Sequence, residues 1–246
     1  MLTPILTVGH LMIPSEWLAL LVSFFAAIWM IRRDLDRAGS NGGQVADVFW
    51  WGLFLGLIVY RFGGAIVDPI SLFRNPLQVL LSVPVPFTKW LGVGAGAVYL
   101  LWKLHRMSIN SLESWKSIIN WTAPGILVGI SVYQWLVTDI GRSTSLPWGM
   151  KIGEASYHPI HLYKGIGLLL TAFWVRRKAV EPQLRIGWAL LGVGVAMMAV
   201  SFFRFPEDVW FGLTLEQWGY LAISISGLLY LSIGRSDRNR KVLVDK

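Results

Sequence analysis

The chain has 246 residues, of which 54% are hydrophobic and 15% are charged, and its mean hydropathy is +0.55. About a quarter of the residues of a soluble domain are charged, so this composition excludes an ordinary soluble domain and a disordered or nucleic-acid-binding chain. The sequence contains no cysteine, which excludes a disulfide framework, a thiolate nucleophile and a cysteine-based metal site.

Charge-poor apolar segments recur along the whole sequence, as far as the C-terminal region. A bilayer core about 30 Å thick needs about 20 apolar residues per helix. The pattern therefore predicts an all-α integral membrane protein with about seven transmembrane helices, forming a single polytopic domain over residues 1–246. The predicted spans are Ile13–Ile31, Val48–Val67, Trp90–Trp102, Ser117–Thr138, Tyr157–Val175, Ile186–Phe203 and Gln217–Gly234.

The third predicted span, Trp90–Trp102, is too short to cross a bilayer by itself. Either it includes part of the preceding Pro76–Thr88 stretch, or it is tilted or partly interfacial. Pro84 and Pro86 favour a break in that stretch, because proline interrupts a helix.

The basic residues are distributed unequally between alternate connections. One side carries fifteen and the other carries five, namely Arg74, Lys89, Arg142, Lys151 and Arg204. Cytoplasmic loops carry the excess of Lys and Arg. The asymmetry predicts an external N-terminus and a cytoplasmic C-terminus, with residues 235–246 forming a basic cytoplasmic tail.

Glycines recur four residues apart in three of the predicted spans: Gly52 and Gly56, Gly92 and Gly96, and Gly125 and Gly129. This spacing allows helix backbones to approach closely within a membrane. It predicts a compact helix bundle and carries no chemical information.

Arg61 falls inside the second predicted span, thirteen residues after Asp47. An ionisable group at membrane depth is costly, and it is therefore a functional hypothesis by default. Its guanidinium either holds a lipid phosphate through bidentate hydrogen bonds or forms an intramembrane ion pair with an unidentified acid.

Two histidines, His158 and His161, lie at the start of the fifth predicted span. With Pro159 in the first helical turn, helical spacing predicts that both histidines and Lys164 share one face, with Tyr163 turned away. The pair suggests a general base or a helix-start cap with interfacial hydrogen bonds. No third ligand has a convincing spacing, so no metal site is predicted.

Charged residues also lie in two outer connections. Asp139 and Arg142 follow the fourth span, and Arg204, Glu207 and Asp208 follow the sixth. Opposite charges on these adjoining loops are expected to pair. Such pairs near water contribute little to stability and do not by themselves indicate a function.

Several motifs, taken together in order and spacing, resemble those of the prolipoprotein diacylglyceryl transferase family. Asp68–Arg74 is similar to the family's Asp-Pro-x-x-Leu-Phe-Arg, and Arg61 falls on its Gly-Arg-Ile position. Ala123-Pro124 is similar to the opening of its fourth helix. His158–Lys164 resembles His-Pro-x-Gln-Leu-Tyr-Glu, and Phe202–Asp208 resembles Phe-Phe-Arg-x-Pro-Asp with one inserted residue.

This resemblance implies seven helices in a bacterial plasma membrane. It also implies transfer of the diacylglyceryl group of phosphatidylglycerol to the cysteine thiol of a preprolipoprotein. The thiol belongs to the substrate, so the absence of cysteine here is compatible with that activity. The enzyme supplies cations that bind phosphate and a group that helps to deprotonate the thiol. No cofactor is implied.

The sequence departs from the family in its most diagnostic segment, Gly-Arg-x-Gly-Asn-Phe-x-Asn-x-Glu-x-x-Gly, which corresponds to Gly129–Gly141. Ile130, Tyr133 and Thr138 replace the Arg, Asn and Glu. Other family residues are replaced elsewhere: the His of His-Gly-Gly by Val93, an Arg by Met197, and two Glu by Ser201 and Lys164. Each lost charged contact costs about 2–4 kcal/mol of transition-state stabilisation.

Two hypotheses follow. If the chain is active, Arg61, Arg142 and Arg204 hold the lipid phosphate, Tyr163 and Asp139 contribute to substrate binding, and His158 or His161 accepts the proton. Alternatively, the chain is a degenerate paralogue that binds an anionic phospholipid or a lipoprotein signal helix without catalysis. A small transporter is a third class, but it predicts internal repeats that the sequence does not contain.

Overall fold

A computed structural model describes residues 5–8, 11–37, 42–66, 68–74, 87–107, 112–177, 181–205 and 208–244. Helices make up most of these residues, which confirms the all-α prediction. Seven of the described helices are long and one is short. They are α1 (Ser15–Arg37), α2 (Gly42–Phe62), α3 (Pro69–Arg74), α4 (Thr88–Arg106), α5 (Leu112–Leu136), α6 (Ile160–Val175), α7 (Arg185–Ser201) and α8 (Leu215–Val244).

Short strands lie between the helices, and the hydropathy pattern does not predict them. A hairpin of β1 (Ile5–Val8) and β2 (Leu11–Pro14) precedes α1, and a second hairpin, β6 (Val209–Trp210) and β7 (Leu213–Thr214), precedes α8. The third sheet joins α5 to α6. It has three antiparallel strands in the order β3-β5-β4, and these are β3 (Ile140–Ser143), β4 (Met150–Ile152) and β5 (Ala155–Pro159).

Each long helix overlaps one predicted span, but several boundaries differ. Helix α2 ends at Phe62, because the glycine pair Gly63-Gly64 follows it as part of a 3₁₀ turn. Arg61 is therefore in the last turn of α2 and not well inside a span. Helix α4 has 19 residues and begins at Thr88, so it takes one residue from the Pro76–Thr88 stretch. Pro84 and Pro86 lie outside the described residues.

The fourth helix also begins earlier than expected. Helix α5 starts at Leu112 and contains Pro124 in its interior, so Ala123-Pro124 does not open it. Because proline has no N–H, the carbonyl of Asn120 lacks its usual helical partner at that point. Surrounding contacts outweigh this local penalty: Ala123 and Leu127 are buried in one core cluster together with Leu168 and Ala172 of α6.

Among the described residues, two helices are long and apolar enough to cross a membrane on length and composition alone. They cover Gly43–Phe62 and Pro182–Ser201, and Ile160–Val175 is equally apolar but shorter. The remaining long helices carry more charge or lower hydropathy. The seven-span topology and its orientation therefore remain predictions.

The glycine motifs lie at helix contacts, as their spacing predicts. A Cβ atom placed on Gly56 of α2 would lie 2.8 Å from the carbonyl oxygen of Gly92 on α4. One placed on Gly129 of α5 would lie 3.0 Å from the carbonyl oxygen of Ser23 on α1. Only glycine permits such approaches, so these residues set the distances between α2 and α4 and between α1 and α5.

A buried ion pair joins α1 to α6 at the end of the bundle that the charge pattern predicts to be cytoplasmic. Asp34 is 2% exposed. Both of its carboxylate oxygens accept from Arg176, with Nε at 3.0 Å from Oδ2 and Nη2 at 2.8 Å from Oδ1. Arg37 lies farther away, at 3.8 Å. The bidentate geometry offsets the desolvation of both charges.

The glycine contacts predict a position-specific cost of adding a methyl group to α4. Gly92→Ala should lower the free energy of unfolding by about 1–3 kcal/mol, because its Cβ would meet the Gly56 carbonyl at 2.6 Å. Gly94→Ala is the matched control, since no atom lies within 4 Å of its Cβ. Tryptophan fluorescence during thermal unfolding in detergent measures both. Equal stabilities for the two variants would contradict the α2–α4 contact.

The buried ion pair makes a second prediction. Arg176→Ala should destabilise the protein by about 3–5 kcal/mol, because it leaves the Asp34 carboxylate buried without its bidentate partner. Arg37→Ala removes a cation that is 54% exposed and should cost less than about 1 kcal/mol. The same unfolding measurement compares them, and a similar loss in both variants would show that Arg176 is not the principal partner.

Candidate functional site

The three-stranded sheet and the first turn of α6 position the two predicted histidines. His158 is in β5, and His161 is the second residue of α6. Pro159 pairs with Ile140 across the sheet, and its ψ of 80° is not helical, so the helix cannot include His158. The prediction that His158 and His161 share a helical face is therefore wrong, and so is the prediction that Tyr163 points away from them.

The side chain of His161 is almost completely buried, at 1% exposure, and its two ring nitrogens have different environments. Nδ1 lies 2.8 Å from the carbonyl oxygen of Asp139, which is closer than its 3.3 Å distance to the Asp139 nitrogen. The Asp139 carbonyl accepts from Nδ1 when Nδ1 is protonated, and the Asp139 N–H donates to Nδ1 when it is not, so the tautomer of His161 decides which of the two hydrogen bonds forms. Nε2 is buried and has no hydrogen-bond partner among the described residues.

Asp139 also forms an ion pair, with a residue that the sequence did not suggest as its partner. Its Oδ2 lies 2.6 Å from the Nζ of Lys164, which is on α6 one turn after His161. The Lys164 side chain is 14% exposed and that of Asp139 is 30% exposed, so the pair is partly shielded from solvent. Asp139 thus connects the start of β3 to α6 through both its backbone and its carboxylate.

His158 belongs to a cluster of rings around Tyr163. Its Nδ1 lies 3.1 Å from the Tyr163 hydroxyl, which accepts a hydrogen bond of 2.9 Å from the indole N–H of Trp148. The Phe203 ring packs on both residues, with centroids 4.9 Å from His158 and 5.6 Å from Tyr163. Phe203 is within a family motif, but nothing in the sequence distinguishes Trp148 from the thirteen other tryptophans.

The segment after α7 lies along β3 and brings two arginines together. The backbone N–H of Arg142 donates to the carbonyl of Phe203 at 2.9 Å, and its Nε donates to the carbonyl of Arg204 at 2.7 Å. The Arg204 guanidinium pairs with the carboxylate of Glu216 on α8. The expected pairing of opposite charges on the two loops is therefore wrong for Asp139, which pairs with Lys164 on α6. Glu207 lies outside the described residues.

Arg61 comes from a different part of the bundle. It is 8% exposed, in the last turn of α2, which packs against α4 and α1. Its neighbour Tyr60 lies within electrostatic range of Tyr133 on α5, as does Glu16 on α1. The structure thus brings six of the seven predicted site residues to the three-stranded sheet and the elements packed on it, and it places the seventh, Arg61, in the last turn of α2.

Ile130 and Ser131 show how α5 presents the altered motif. Ser131 is 1% exposed and donates a 2.7 Å hydrogen bond to the carbonyl of Gly165 on α6, whereas Ile130 is 43% exposed on the outer surface. The position at which the motif carries Arg therefore faces away from the α5–α6 contact in this chain. In the described ranges, no three His, Asp or Glu side chains are gathered in a way that could bind a metal ion.

Comparison with known proteins supports the resemblance over most of the chain. A phosphatidylglycerol–prolipoprotein diacylglyceryl transferase of Shewanella sp. (strain ANA-3) is 28% identical over 228 residues, covering 82% of this chain and 78% of the relative. The corresponding protein of Idiomarina loihiensis is 26% identical, covering 91% and 89%. The transferase 2 of Streptomyces coelicolor is 23% identical, covering 94% and 78%. No protein-family model matches the chain. These relatives, together with the shared motifs, support membership of the prolipoprotein diacylglyceryl transferase family.

Proposed function

We propose that this protein transfers the diacylglyceryl group of phosphatidylglycerol to the cysteine thiol of a preprolipoprotein. The names of its relatives support the reaction class and both substrates. The observation that carries the proposal is the buried, unpartnered Nε2 of His161 beside a paired cation, because thiol alkylation needs a proton acceptor in a shielded site.

The proposed reaction takes place at the outer leaflet of a bacterial plasma membrane. Seven membrane spans with an external N-terminus would put the end of α2, the start of α6 and the end of α7 on the outer side. All seven candidate site residues are at or near those ends. The excess of basic residues in the opposite connections supports this orientation. The exposed apolar side chains of the helices, such as Leu170 and Val195, support their insertion in a membrane.

The two histidines have complementary roles in the proposed mechanism. The Trp148 N–H donates to the Tyr163 hydroxyl, so the hydroxyl proton is directed to Nδ1 of His158. His158 then carries its own proton on Nε2 and acts as a hydrogen-bond donor. His161 has the opposite tautomer, with its proton on Nδ1 and a lone pair on Nε2, which makes it the proton acceptor.

In the proposed step, the substrate thiol gives its proton to Nε2 of His161. The resulting thiolate forms a C–S bond with the terminal glyceryl carbon of the lipid as the C–O bond to phosphate breaks. The bonding electron pair leaves with the phosphate oxygen, and glycerol 1-phosphate is released. A thiolate is a far better nucleophile than a thiol, so the position of the acceptor controls the rate.

Arg142, Arg204 and Arg61 bind the phosphate group in this proposal, and together they stabilise the charge that develops on the leaving oxygen. Arg142 and Arg204 are held side by side by the contact between β3 and the end of α7. Glu216 orients the Arg204 guanidinium, and Lys164 neutralises Asp139, which lowers its repulsion of an incoming anion. Tyr163 positions His158, and Asp139 positions His161.

One observation favours a second candidate, a non-catalytic paralogue that binds phosphatidylglycerol or a lipoprotein signal helix. The residue that replaces the motif Arg, Ile130, is 43% exposed and cannot hydrogen-bond to phosphate. Cations from β3 and the end of α7 would have to replace that charge. If they do not, the bundle keeps the capacity to bind lipid without the capacity to transfer it.

Release of glycerol phosphate from phosphatidylglycerol and a lipobox peptide tests the proposal directly. His161→Gln should lower the rate by about 10²–10⁴-fold through loss of the proton acceptor. Arg142→Ala should lower it by about 10²–10³-fold. Lys89→Gln, which removes an exposed cation from the start of α4, is the matched control and should retain activity. Because the protein contains no cysteine, any thioether formed must be on the peptide.

The outcomes separate the hypotheses. If His161→Gln still releases glycerol phosphate at the full rate and His158→Gln does not, the proton acceptor is His158 and not His161. Absence of release by the unmodified protein, with phosphatidylglycerol still bound, would support the non-catalytic paralogue and remove the transferase proposal.

The assigned tautomers make a spectroscopic prediction that does not depend on activity. Nitrogen NMR of protein labelled with ¹⁵N-histidine should show His161 with a protonated Nδ1 and an unprotonated Nε2, because Nδ1 lies closer to the Asp139 carbonyl oxygen, at 2.8 Å, than to the Asp139 nitrogen, at 3.3 Å. The chain has four histidines, and the spectrum of His161→Gln assigns the signal. A protonated Nε2 on neutral His161 would contradict the proposed proton acceptor.

A further inference from the structure

The hairpin formed by residues 209–214, called the aromatic hairpin below, ends in two large rings that pack on little else. Trp210 is 72% exposed and Phe211 is 87% exposed, and their rings meet edge to face at 5.6 Å. Val209, beside them, is 60% exposed, and Leu215, at the start of α8, is 84% exposed. Four large apolar side chains are thus concentrated within the seven residues 209–215.

The backbone holds these rings away from the rest of the protein. Phe211 has a φ of 50° and Gly212 has a φ of 84°, the combination that a tight two-residue hairpin turn requires. Glycine or asparagine suits the first of these positions, whereas a phenylalanine there is strained. The indole N–H of Trp218 donates to the carbonyl of Trp210 at 2.9 Å, which fixes the hairpin against α8.

The apolar surface of the aromatic hairpin continues directly along one side of α8. Exposed residues recur there every three or four positions, which places them on one helix face. They are Leu215, Trp218, Ala222, Ile225, Leu229 and Ile233. If α8 spans the membrane, as proposed above, this face contacts lipid, and the hairpin extends the same apolar surface to the outer end of the helix.

Polar groups lie at the base of the hairpin and not at its tip. Arg204 pairs there with Glu216, in the first turn of α8. Rings at the tip and an ion pair at the base match the gradient from acyl chains to headgroups at a membrane surface, where amphipathic aromatic side chains are favoured.

We infer that the aromatic hairpin inserts into the outer leaflet and that its partner is the glycerol and upper acyl region of phospholipids. This inference rests on the proposed membrane placement of α8. Insertion fixes the start of α8 relative to the bilayer, and through the Arg204–Glu216 pair it holds Arg204 at the depth of lipid phosphate groups. The hairpin therefore determines how deeply the candidate site meets its lipid substrate.

The absence of cysteine allows a direct test by labelling single introduced cysteines in the full-length protein. An environment-sensitive fluorophore is attached at Phe211→Cys or at Leu215→Cys, a second position in case the first variant does not fold. The protein is reconstituted in phosphatidylglycerol–phosphatidylcholine vesicles. Lys151→Cys, exposed on β4 between α5 and α6, is the matched control for an outer residue in water. Val195→Cys, 57% exposed on α7, is the control for a lipid-facing position.

Fluorescence is then quenched either by phospholipids that carry a nitroxide near the headgroup or by aqueous iodide. Labels at residues 211 and 215 should be quenched by the nitroxide lipid and should be several-fold less sensitive to iodide than the label at residue 151. Equal access of iodide to all three labels would overturn the inference. Protection from iodide without lipid quenching would also overturn it, since the hairpin would then contact protein, such as a second copy of the chain.

The controls separate this inference from the proposed function. The experiment contains no peptide substrate and measures no transfer, so a water-exposed hairpin leaves the transferase proposal intact. A label at residue 195 that also escapes lipid quenching would instead show that α7 lies outside the bilayer. That result would overturn the membrane placement on which both proposals depend.

Discussion

The hydrogen bond between His161 and the carbonyl of Asp139 is the contact on which the candidate site depends. It joins the residue before β3 to the first turn of α6 and holds the His161 ring in place. The carbonyl and the N–H of Asp139 both face Nδ1, so the ring is oriented by backbone groups of the fold and not by a side chain that ionises. Lys164, which is on the same helix as His161, reinforces this contact by pairing with the Asp139 carboxylate.

Several other buried polar side chains have hydrogen-bond partners, which distinguishes them from Nε2 of His161. Asp34 has a bidentate arginine, Asn120 accepts from the backbone N–H of Ile186, and Ser131 donates to the Gly165 carbonyl. In a bundle with a low internal dielectric, an unsatisfied polar atom destabilises the folded state. Among the described residues, the buried side-chain nitrogen and oxygen atoms without a hydrogen-bond partner are Nε2 of His161 and two guanidinium nitrogens of Arg185. The Arg185 guanidinium stacks on Trp121 at 4.0 Å, which compensates in part for its missing hydrogen bonds.

The sequence predicts the helices and their glycine contacts because those features depend on local patterns. A run of apolar residues is sufficient to indicate a helix, and two glycines four residues apart are sufficient to indicate a close approach. The candidate site depends instead on pairings across the sheet. From its spacing Pro159 is expected to start a helix, but in the structure it pairs with Ile140 across the sheet. Asp139 and Lys164 form an ion pair although they are 25 residues apart in the chain. The motifs point to segments that meet in the structure, but neither the relative orientation of the histidines nor the contribution of Trp148 can be obtained from spacing.

The altered motif and the observed contacts together indicate how the distribution of charge has changed. A basic residue at position 130 would extend from the outer surface of α5, where Ile130 now lies 43% exposed. The guanidiniums of the candidate site come instead from β3 and from the segment after α7, whose Phe203 and Arg204 carbonyls accept hydrogen bonds from Arg142. The same segment continues into the aromatic hairpin, so in the proposed arrangement the depth of the hairpin in the bilayer also sets the depth of Arg204. A phosphate group bound at this site would therefore be held by the sheet and the start of α8, and not by α5.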